Sequence, residues 1–101
     1  MNGVTQWMVP PDHPAFAGHF PGAPILPGVV LLDAALQAIA AATGIELDTC
    51  EIGAVKFLHP VNPGDRLEIR HELASGGAIR FDIVAGPRKI AGGSIVPRSP
   101  A

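Results

Sequence analysis

The alternation of apolar and polar side chains is clearest in the last third of the chain, where it predicts antiparallel strands. In residues 65–73 one face carries Leu67, Ile69, His71 and Leu73, and the other carries charged residues. Residues 78–86 alternate in the same way after a tight SGG turn. Residues 89–97 form a further apolar segment after a turn at Gly86-Pro87. These segments predict a sheet with one face buried and one face in water.

Two earlier segments also have strand character. Residues 4–9, VTQWMV, predict a short strand that Pro10-Pro11 ends. Residues 52–61, IGAVKFLHPV, predict a longer strand that leads into an NPGD turn at 62–65. Between them, the Pro- and Gly-rich residues 10–28 predict an ordered loop, and a loop of this length in a small domain is often functional.

The middle of the chain predicts a helix over residues 29–43, with Pro27 at its first position and Gly44 as its C-terminal cap. Apart from Asp33 and Gln37, which are four residues apart and share a face, the segment is apolar on all sides. Such a helix is typically wrapped by other structure. The order of strand, loop, helix and about four strands predicts a single α+β domain over residues 1–101, with a sheet around a central helix. A half-exposed sheet of this size also favours a homodimer.

Composition supports an ordinary globular protein of 101 residues, with 48% apolar and 16% charged side chains. The single cysteine, Cys50, excludes an internal disulfide framework and favours a reduced, cytoplasmic setting. The first residues do not resemble a signal peptide. Residues 25–45 are mostly apolar, but Pro27, Gly28 and Asp33 interrupt them, so no membrane span is expected.

Charge is divided unevenly along the chain. Residues 1–55 hold five acids and no Lys or Arg, which gives −5, whereas the remainder holds seven basic residues and four acids, which gives +3. This division indicates either a face for an acidic partner or ordinary solvated strand faces, and both interpretations stay open. Nucleic acid is not an expected partner, because the chain is not basic overall and has one Trp and no Tyr.

Three groups within fifteen residues are candidates for a catalytic role. Asp33 lies in an apolar helix, where a carboxyl group is desolvated unless it is paired or faces a cavity. It is therefore a candidate catalytic acid, although a structural acid bonded to backbone amides is the alternative. His19, in the stiff loop GHFPG, is a candidate general base. The backbone N–H of Gly28 opens the helix and can face a developing oxyanion. Spacing alone does not show that the three converge.

Residues 12–37, DHPAFAGHFPGAPILPGVVLLDAALQ, resemble the active-site segment of the 3-hydroxyacyl-acyl-carrier-protein dehydratases, the FabA/FabZ group. The matching features are GHFPG, the spaced prolines before Gly28, and an acid fourteen residues after His19. Residues 55–69, VKFLHPVNPGDRLEI, resemble the strand, turn and strand of the same family. The resemblance extends over residues 4–96 and implies the hotdog fold, in which a sheet wraps one long helix.

The resemblance also implies roles for individual residues. His19 takes the place of the catalytic base, and Asp33 that of the second catalytic carboxylate. Gly28 takes the position whose N–H holds the thioester carbonyl, while Gln37 and Phe20 are placed with the substrate-binding residues. In this family two protomers form a continuous sheet, and the His and the acid of one site come from different subunits.

The implied function is dehydration of 3-hydroxyacyl carrier-protein thioesters to trans-2-enoyl thioesters, in fatty-acid, polyketide or aryl-polyene-type synthesis. Its substrate would be carried on the phosphopantetheine of acyl carrier protein or on CoA, with no metal or redox cofactor. Relatives in primary fatty-acid synthesis begin with an additional segment, so a short dehydratase-like member is expected, as a homodimer, higher oligomer or heterodimer. The alternatives are a hotdog acyl thioesterase and a non-catalytic partner subunit of another dehydratase.

The remaining candidates are weaker. His13 is interpreted as a loop residue that either lines the site entrance or has no role there, and His59 as a residue with local hydrogen bonds. His71 is interpreted as a hydrogen-bonded core histidine, and Cys50 as an inert thiol. The histidines show no recognisable spacing of metal ligands. Arg88-Lys89 either receives an acidic carrier protein or is simply solvated.

Overall fold

In a computed structural model, residues 2–16 and 25–97 are described, and they form one antiparallel sheet and one long helix. The strands are β1 (Asn2–Met8), β2 (Cys50–Ile52), β3 (Lys56–Phe57), β4 (Arg66–Leu73), β5 (Ile79–Ala85) and β6 (Arg88–Pro97). The helix α1 spans Gly28–Thr43, and short 3₁₀ turns lie at Pro14–Phe16 and Ser75–Gly77. The strand order is β1-β4-β5-β6-β2, and β3 also pairs with β6. The predicted α+β architecture is confirmed.

The core lies between the helix and the inner face of the sheet. Along β4, Leu67 and Ile69 are buried with His71, while the residues between them face outward. Ile69 lies opposite Thr5 of β1 and Ile83 of β5, so inward-facing residues form rows across neighbouring strands. The helix adds the buried residues Leu31, Ala35 and Ile39. Their four-residue spacing is the one that the helical repeat places on a single face.

Both ends of the helix follow from local sequence. Pro27 precedes the first turn, and its carbonyl oxygen accepts hydrogen bonds from the N–H groups of Val30 and Leu31 at 3.0 and 3.1 Å. At the other end, Gly44 has φ 74° and donates its N–H to Ala40 O at 2.9 Å. This left-handed conformation suits glycine, which has no Cβ to collide with the backbone. The predicted helix is confirmed and begins one residue earlier than expected.

The sheet wraps the helix, as predicted, but within a single protomer it covers one face only. Val29 is 77% exposed, and Asp33 and Gln37 are exposed as well. The described sheet covers only the face that carries Leu31, Ala35 and Ile39. The helix therefore has more apolar surface than the sheet of one protomer covers.

The strand predicted over residues 52–61 is interrupted. β2 ends at Ile52, and Gly53 then donates its N–H to Ser94 O at 2.8 Å in a position where a Cβ would collide with the Ser94 side chain. Pairing resumes for only two residues in β3, after which the N–H groups of Leu58 and His59 both donate to Ile90 O. Five described strands therefore follow the helix, where about four were expected.

His71 is buried, as predicted, but the hydrogen bonding of its ring differs from the prediction. Its side chain is 4% exposed, and its Nδ1 atom has no hydrogen-bond partner in the described part of the chain. The imidazole lies over Gly3 on the paired strand β1, with Nε2 3.0 Å from the position that a Cβ of Gly3 would take. Gly3 therefore makes room for a histidine in the core.

Candidate active site

Gly28 opens the helix at the wall of an apolar cavity. Its N–H is among those that an α-helix leaves without an intrahelical acceptor at its start. The ring of Phe57 packs against it, with three ring atoms 3.1–3.3 Å from the position of a Cβ at residue 28. The apolar cavity has a volume of about 400 Å³ and is lined by Ile25, Leu26, Gly28, Leu31, Phe57, Leu58, His59, Pro60 and Val61. The backbone N–H of Gly28 therefore lies at the edge of a cavity that suits a hydrocarbon chain.

Asp33 lies in the second turn of α1, on its exposed face. Gln37 donates a hydrogen bond from Nε2 to Asp33 Oδ2 at 2.8 Å, so the two side chains meet as their four-residue spacing predicts. The expectation that Asp33 sits in an apolar, buried setting is wrong for one protomer, where the side chain is exposed. The reason is that the described sheet covers the opposite face of the helix.

Two further cavities adjoin Asp33, one on each side. The Asp33 cavity, of about 400 Å³, lies between β1 and α1 and is lined by Thr5, Gln6, Trp7, His13, Val30, Asp33, Ala34, Gln37 and Ala38. A second, of about 370 Å³, lies between α1 and the following loop and includes Leu47 and Asp48. The Asp33–Gln37 pair forms the ridge between them.

Gly28 and Asp33 point to different spaces within one protomer. Five residues apart in a helix of 3.6 residues per turn, they are separated by about 140° around the axis. Gly28 accordingly lines the apolar cavity and Asp33 does not. The described structure therefore brings Asp33 and Gln37 together, but not Gly28 and Asp33.

The predicted base His19 and the predicted substrate-binding Phe20 lie in residues 17–24, outside the described residues. Their assignment stays a prediction. His13, just before this segment, lines the Asp33 cavity, and a place at the site entrance stays a prediction. Its backbone N–H donates to Pro10 O at 3.1 Å, and its ring meets Phe16 edge to face at 6.3 Å.

Three cavity residues were not expected from the sequence. Phe57 is 51% exposed and still packs on Gly28, while His59, besides its backbone bond to Ile90 O, lines the apolar cavity. The sequence signal that could have indicated them is KFLHP, in the second segment that resembles the dehydratases. A strand that stops at His-Pro places its last side chains at the end of the sheet. Trp7, on β1, lines the Asp33 cavity and was read only as part of a strand.

The basic residues singled out from the sequence lie at the β5–β6 turn. Arg88 and Lys89 are both exposed. The Lys89 ammonium pairs with Asp82 at 3.0 Å on the outer face of the sheet, so part of its charge is compensated. Exposed pairs of this kind contribute little stability. A role for Arg88 in receiving an acidic partner stays a prediction.

Among residues 2–16 and 25–97, no group of three or more His, Cys, Asp or Glu side chains is arranged to hold a metal ion. The same residues contain no helix that is long and apolar enough to cross a membrane.

Comparison with known protein families adds the deciding observation. The family model of the ApeI-like proteins, described as ApeI dehydratase, matches residues 2–94, which include the whole segment from His19 to Asp33. The chain belongs to this family of dehydratases. The resemblance to the FabA/FabZ group is confirmed.

Curated relatives agree with this assignment. The chain is 38% identical over 105 residues to the 3-hydroxyacyl-[acyl-carrier-protein] dehydratase FabZ of Chlamydia trachomatis serovar L2, covering 91% of this chain and 69% of the relative. It is 40% identical over 75 residues to the FabZ of Cereibacter sphaeroides, covering 65% of this chain and 48% of the relative.

Solved structures confirm the hotdog fold. The dehydratase heterocomplex ApeI:P from Xenorhabdus doucetiae superimposes with a TM-score of 0.77 at 26% identity, covering 96% of this chain and 88% of that chain. The dehydratase domain of PpsC from Mycobacterium tuberculosis, solved with C12:1-CoA, gives a TM-score of 0.78 at 18% identity, covering 99% of this chain and 40% of that chain. The second likeness concerns the fold alone.

Proposed function

We propose that this dehydratase converts 3-hydroxyacyl thioesters carried on acyl carrier protein to trans-2-enoyl thioesters. The observation that carries the proposal is the 38% identity to a 3-hydroxyacyl-[acyl-carrier-protein] dehydratase over 91% of the chain. The proposal assigns the acid role to Asp33, which contacts Gln37, and the carbonyl-binding role to Gly28 at the start of the helix. Fatty-acid synthesis is the pathway that this activity suggests.

The proposed mechanism divides the work between three groups. His19 removes the C2 proton of the substrate, and the negative charge that grows on the thioester carbonyl oxygen is stabilised by the Gly28 N–H at the start of the helix. The C2–H electron pair forms the C2–C3 double bond as the C3–O bond breaks. Asp33, protonated, gives its proton to the departing hydroxyl, which leaves as water. This chemistry uses no metal or redox cofactor.

The acyl chain is assigned to the apolar cavity beside Gly28. Ile25, Leu26 and Leu31 offer hydrocarbon contacts there, and Phe57 limits the space next to the glycine. Apolar walls of this kind favour burial of methylene groups, each by about 0.8 kcal/mol. The preferred length of the acyl chain would then depend on how far this cavity continues in the assembled protein.

The site is proposed to assemble from two protomers. Within one protomer Gly28 and Asp33 line separate cavities, so a thioester held at Gly28 is not beside the Asp33 of the same chain. A second protomer over the exposed helix face would supply the missing acid and would also cover Asp33. The ApeI:P structure of X. doucetiae is a heterocomplex, which supports pairing with a different hotdog subunit as an alternative to a homodimer.

The alternatives are less well supported. The fluoroacetyl-CoA-specific thioesterase FlK has the same fold, at a TM-score of 0.64 and 17% identity, which speaks for the fold and not for thioester hydrolysis. A non-catalytic partner subunit would have no need of the Asp33–Gln37 pair, which this chain retains.

The proposed function is tested with the purified protein and 3-hydroxyacyl carrier-protein thioesters of several chain lengths. We expect mass spectrometry to show formation of the enoyl thioester without release of free thiol. Asp33→Asn keeps the size of the side chain and removes the proton donor, and it should lower kcat by roughly 100-fold or more, as loss of a general acid does. Release of free thiol would favour the thioesterase, and no turnover by a folded protein would favour the partner subunit.

A further inference from the structure

The proposed reaction leaves the two catalytic groups in the wrong protonation states for a second turnover. Each dehydration adds one proton to His19, taken from C2, and removes one from Asp33, lost with the product water. Before the next substrate reacts, His19 must lose its proton and Asp33 must regain one. A route is therefore required that delivers protons to the Asp33 carboxyl, and it must remain open when the active site is assembled.

The Asp33 cavity is the route that the described residues offer. Its volume of about 400 Å³ corresponds to roughly thirteen water molecules at about 30 Å³ each. Thr5, Gln37 and the Trp7 side chain on its walls supply hydrogen-bonding groups. A proton can move through such a chain of waters and polar side chains.

His13 is the residue in this cavity that is suited to pass protons on. Of the residues that line the Asp33 cavity, His13 and Asp33 are the ones with ionisable side chains. Imidazole changes its charge in the range in which proteins work, and it can accept a proton on one nitrogen while it donates from the other. Among the described residues that line the second cavity, Asp48 is the ionisable one besides Asp33, and it is a carboxyl like Asp33 itself.

The position of His13 is fixed by its surroundings. Its N–H donates to Pro10 O, and its carbonyl oxygen accepts from the Phe16 N–H at 3.0 Å, so the backbone forms a tight turn. The Phe16 ring holds the imidazole edge to face, with an interplanar angle of 82°. His13 is partly exposed and also lines the Asp33 cavity, so it borders both solvent and the cavity.

We propose that His13 is the proton relay of this site: it takes protons from solvent and returns them, through water in the Asp33 cavity, to the Asp33 carboxylate after each dehydration. In the reverse hydration the same path carries a proton away from Asp33. This inference rests on the proposed dehydratase function. It makes His13 a residue that acts through Asp33 and does not touch the substrate.

The test is chemical rescue of the reloading step. His13→Ala should lower kcat by ~10-fold in dilute buffer, less than the ~100-fold or greater loss for a direct acid or base, and should leave KM unchanged. Added imidazole, which diffuses into the vacated space, should restore kcat toward the wild-type value. His13→Phe keeps the ring contact with Phe16 but carries no proton, and it should be as slow as His13→Ala.

Controls separate this inference from the proposed function. Wild-type kcat should not respond to imidazole, and Asp33→Asn should not be rescued, because it has no carboxyl to reload. An inactive wild-type protein would refute the proposed function. An active wild type with an equally active His13→Ala or His13→Phe, or a slow His13→Ala that imidazole does not restore, would refute the relay alone.

Discussion

At the scale of single residues, the proposed chemistry centres on Asp33 and its contact with Gln37. The amide N–H of Gln37 fixes one carboxyl oxygen, which leaves the other oxygen for a substrate hydroxyl or for water. A carboxyl held in this way loses less rotational freedom when it enters a catalytic geometry. The pair lies on a ridge between two cavities, so the acid is reached from both sides.

His71 and Gly3 allow a second residue-scale prediction, on stability. Because the imidazole occupies the space of a Cβ at residue 3, Gly3→Ala should overpack the core and lower the free energy of unfolding by ~1–3 kcal/mol. In a His71→Val background the smaller side chain gives up that space. There the same Gly3→Ala change should cost at least ~1 kcal/mol less. Urea unfolding of the wild type, both single variants and the double variant measures this coupling.

Additive effects of the two substitutions would contradict the contact between the imidazole and Gly3. The single variant His71→Val, which keeps Gly3, serves as the matched control. Its change in the free energy of unfolding combines two opposing effects, loss of packing and removal of the Nδ1 atom that has no partner in the described part of the chain. The coupling between the two sites is therefore the informative quantity.

At the scale of elements, the sequence was a good guide where one local rule applied along the whole segment. The Ala-rich run with Gly44 at its end predicted α1 to within one residue, and strict alternation predicted β4 and β5. The interruption after β2 was not foreseen, because it depends on the approach of Gly53 to Ser94, 41 positions later in the chain. Continuous apolar character cannot report such a contact.

The helix end offers a prediction at this scale. Gly44→Ala should lower the free energy of unfolding by ~1 kcal/mol, because alanine is strained at φ 74°. Apart from neighbouring backbone, no atom of the described residues lies within 4 Å of the new Cβ, so the effect is conformational and not a collision. Gly44→Asn is the matched control and should cost less, since asparagine tolerates the left-handed region better than alanine. Thermal unfolding compares the two, and equal losses would contradict this origin.

At the scale of the whole molecule, the cavities shape the proposed site, and they were the part least visible in the sequence. Asp33, Gln37 and Gly28 were predicted from a motif and from helical spacing. That Thr5 and Trp7 wall one cavity while Phe57 and Pro60 wall another follows from the order of strands in the sheet. Segments far apart in the chain meet there, and one sequence carries no direct record of that order.

The exposed face of α1 is also a feature of the whole molecule. Val29 on the helix, with Ile52 and Phe57 at the β2–β3 edge, leaves large apolar side chains in water in a single protomer. Where exposed apolar side chains form one contiguous patch, they mark a surface that contacts other proteins. A second hotdog subunit over this face would complete both the apolar surface and the proposed active site, which joins Gly28 and His19 of one chain with Asp33 of the other.

The most direct measurement of this claim mixes two variants under conditions that allow subunits to exchange. His19→Ala and Asp33→Asn should each be nearly inactive alone. In a mixed dimer one of the two sites has an intact His19 and an intact Asp33, so an equal mixture should recover about a quarter of wild-type activity. Mixing Asp33→Asn with the double variant His19→Ala/Asp33→Asn is the control and should recover nothing. Recovery near one quarter is the predicted result, and no recovery despite proven exchange would contradict a site shared between two chains.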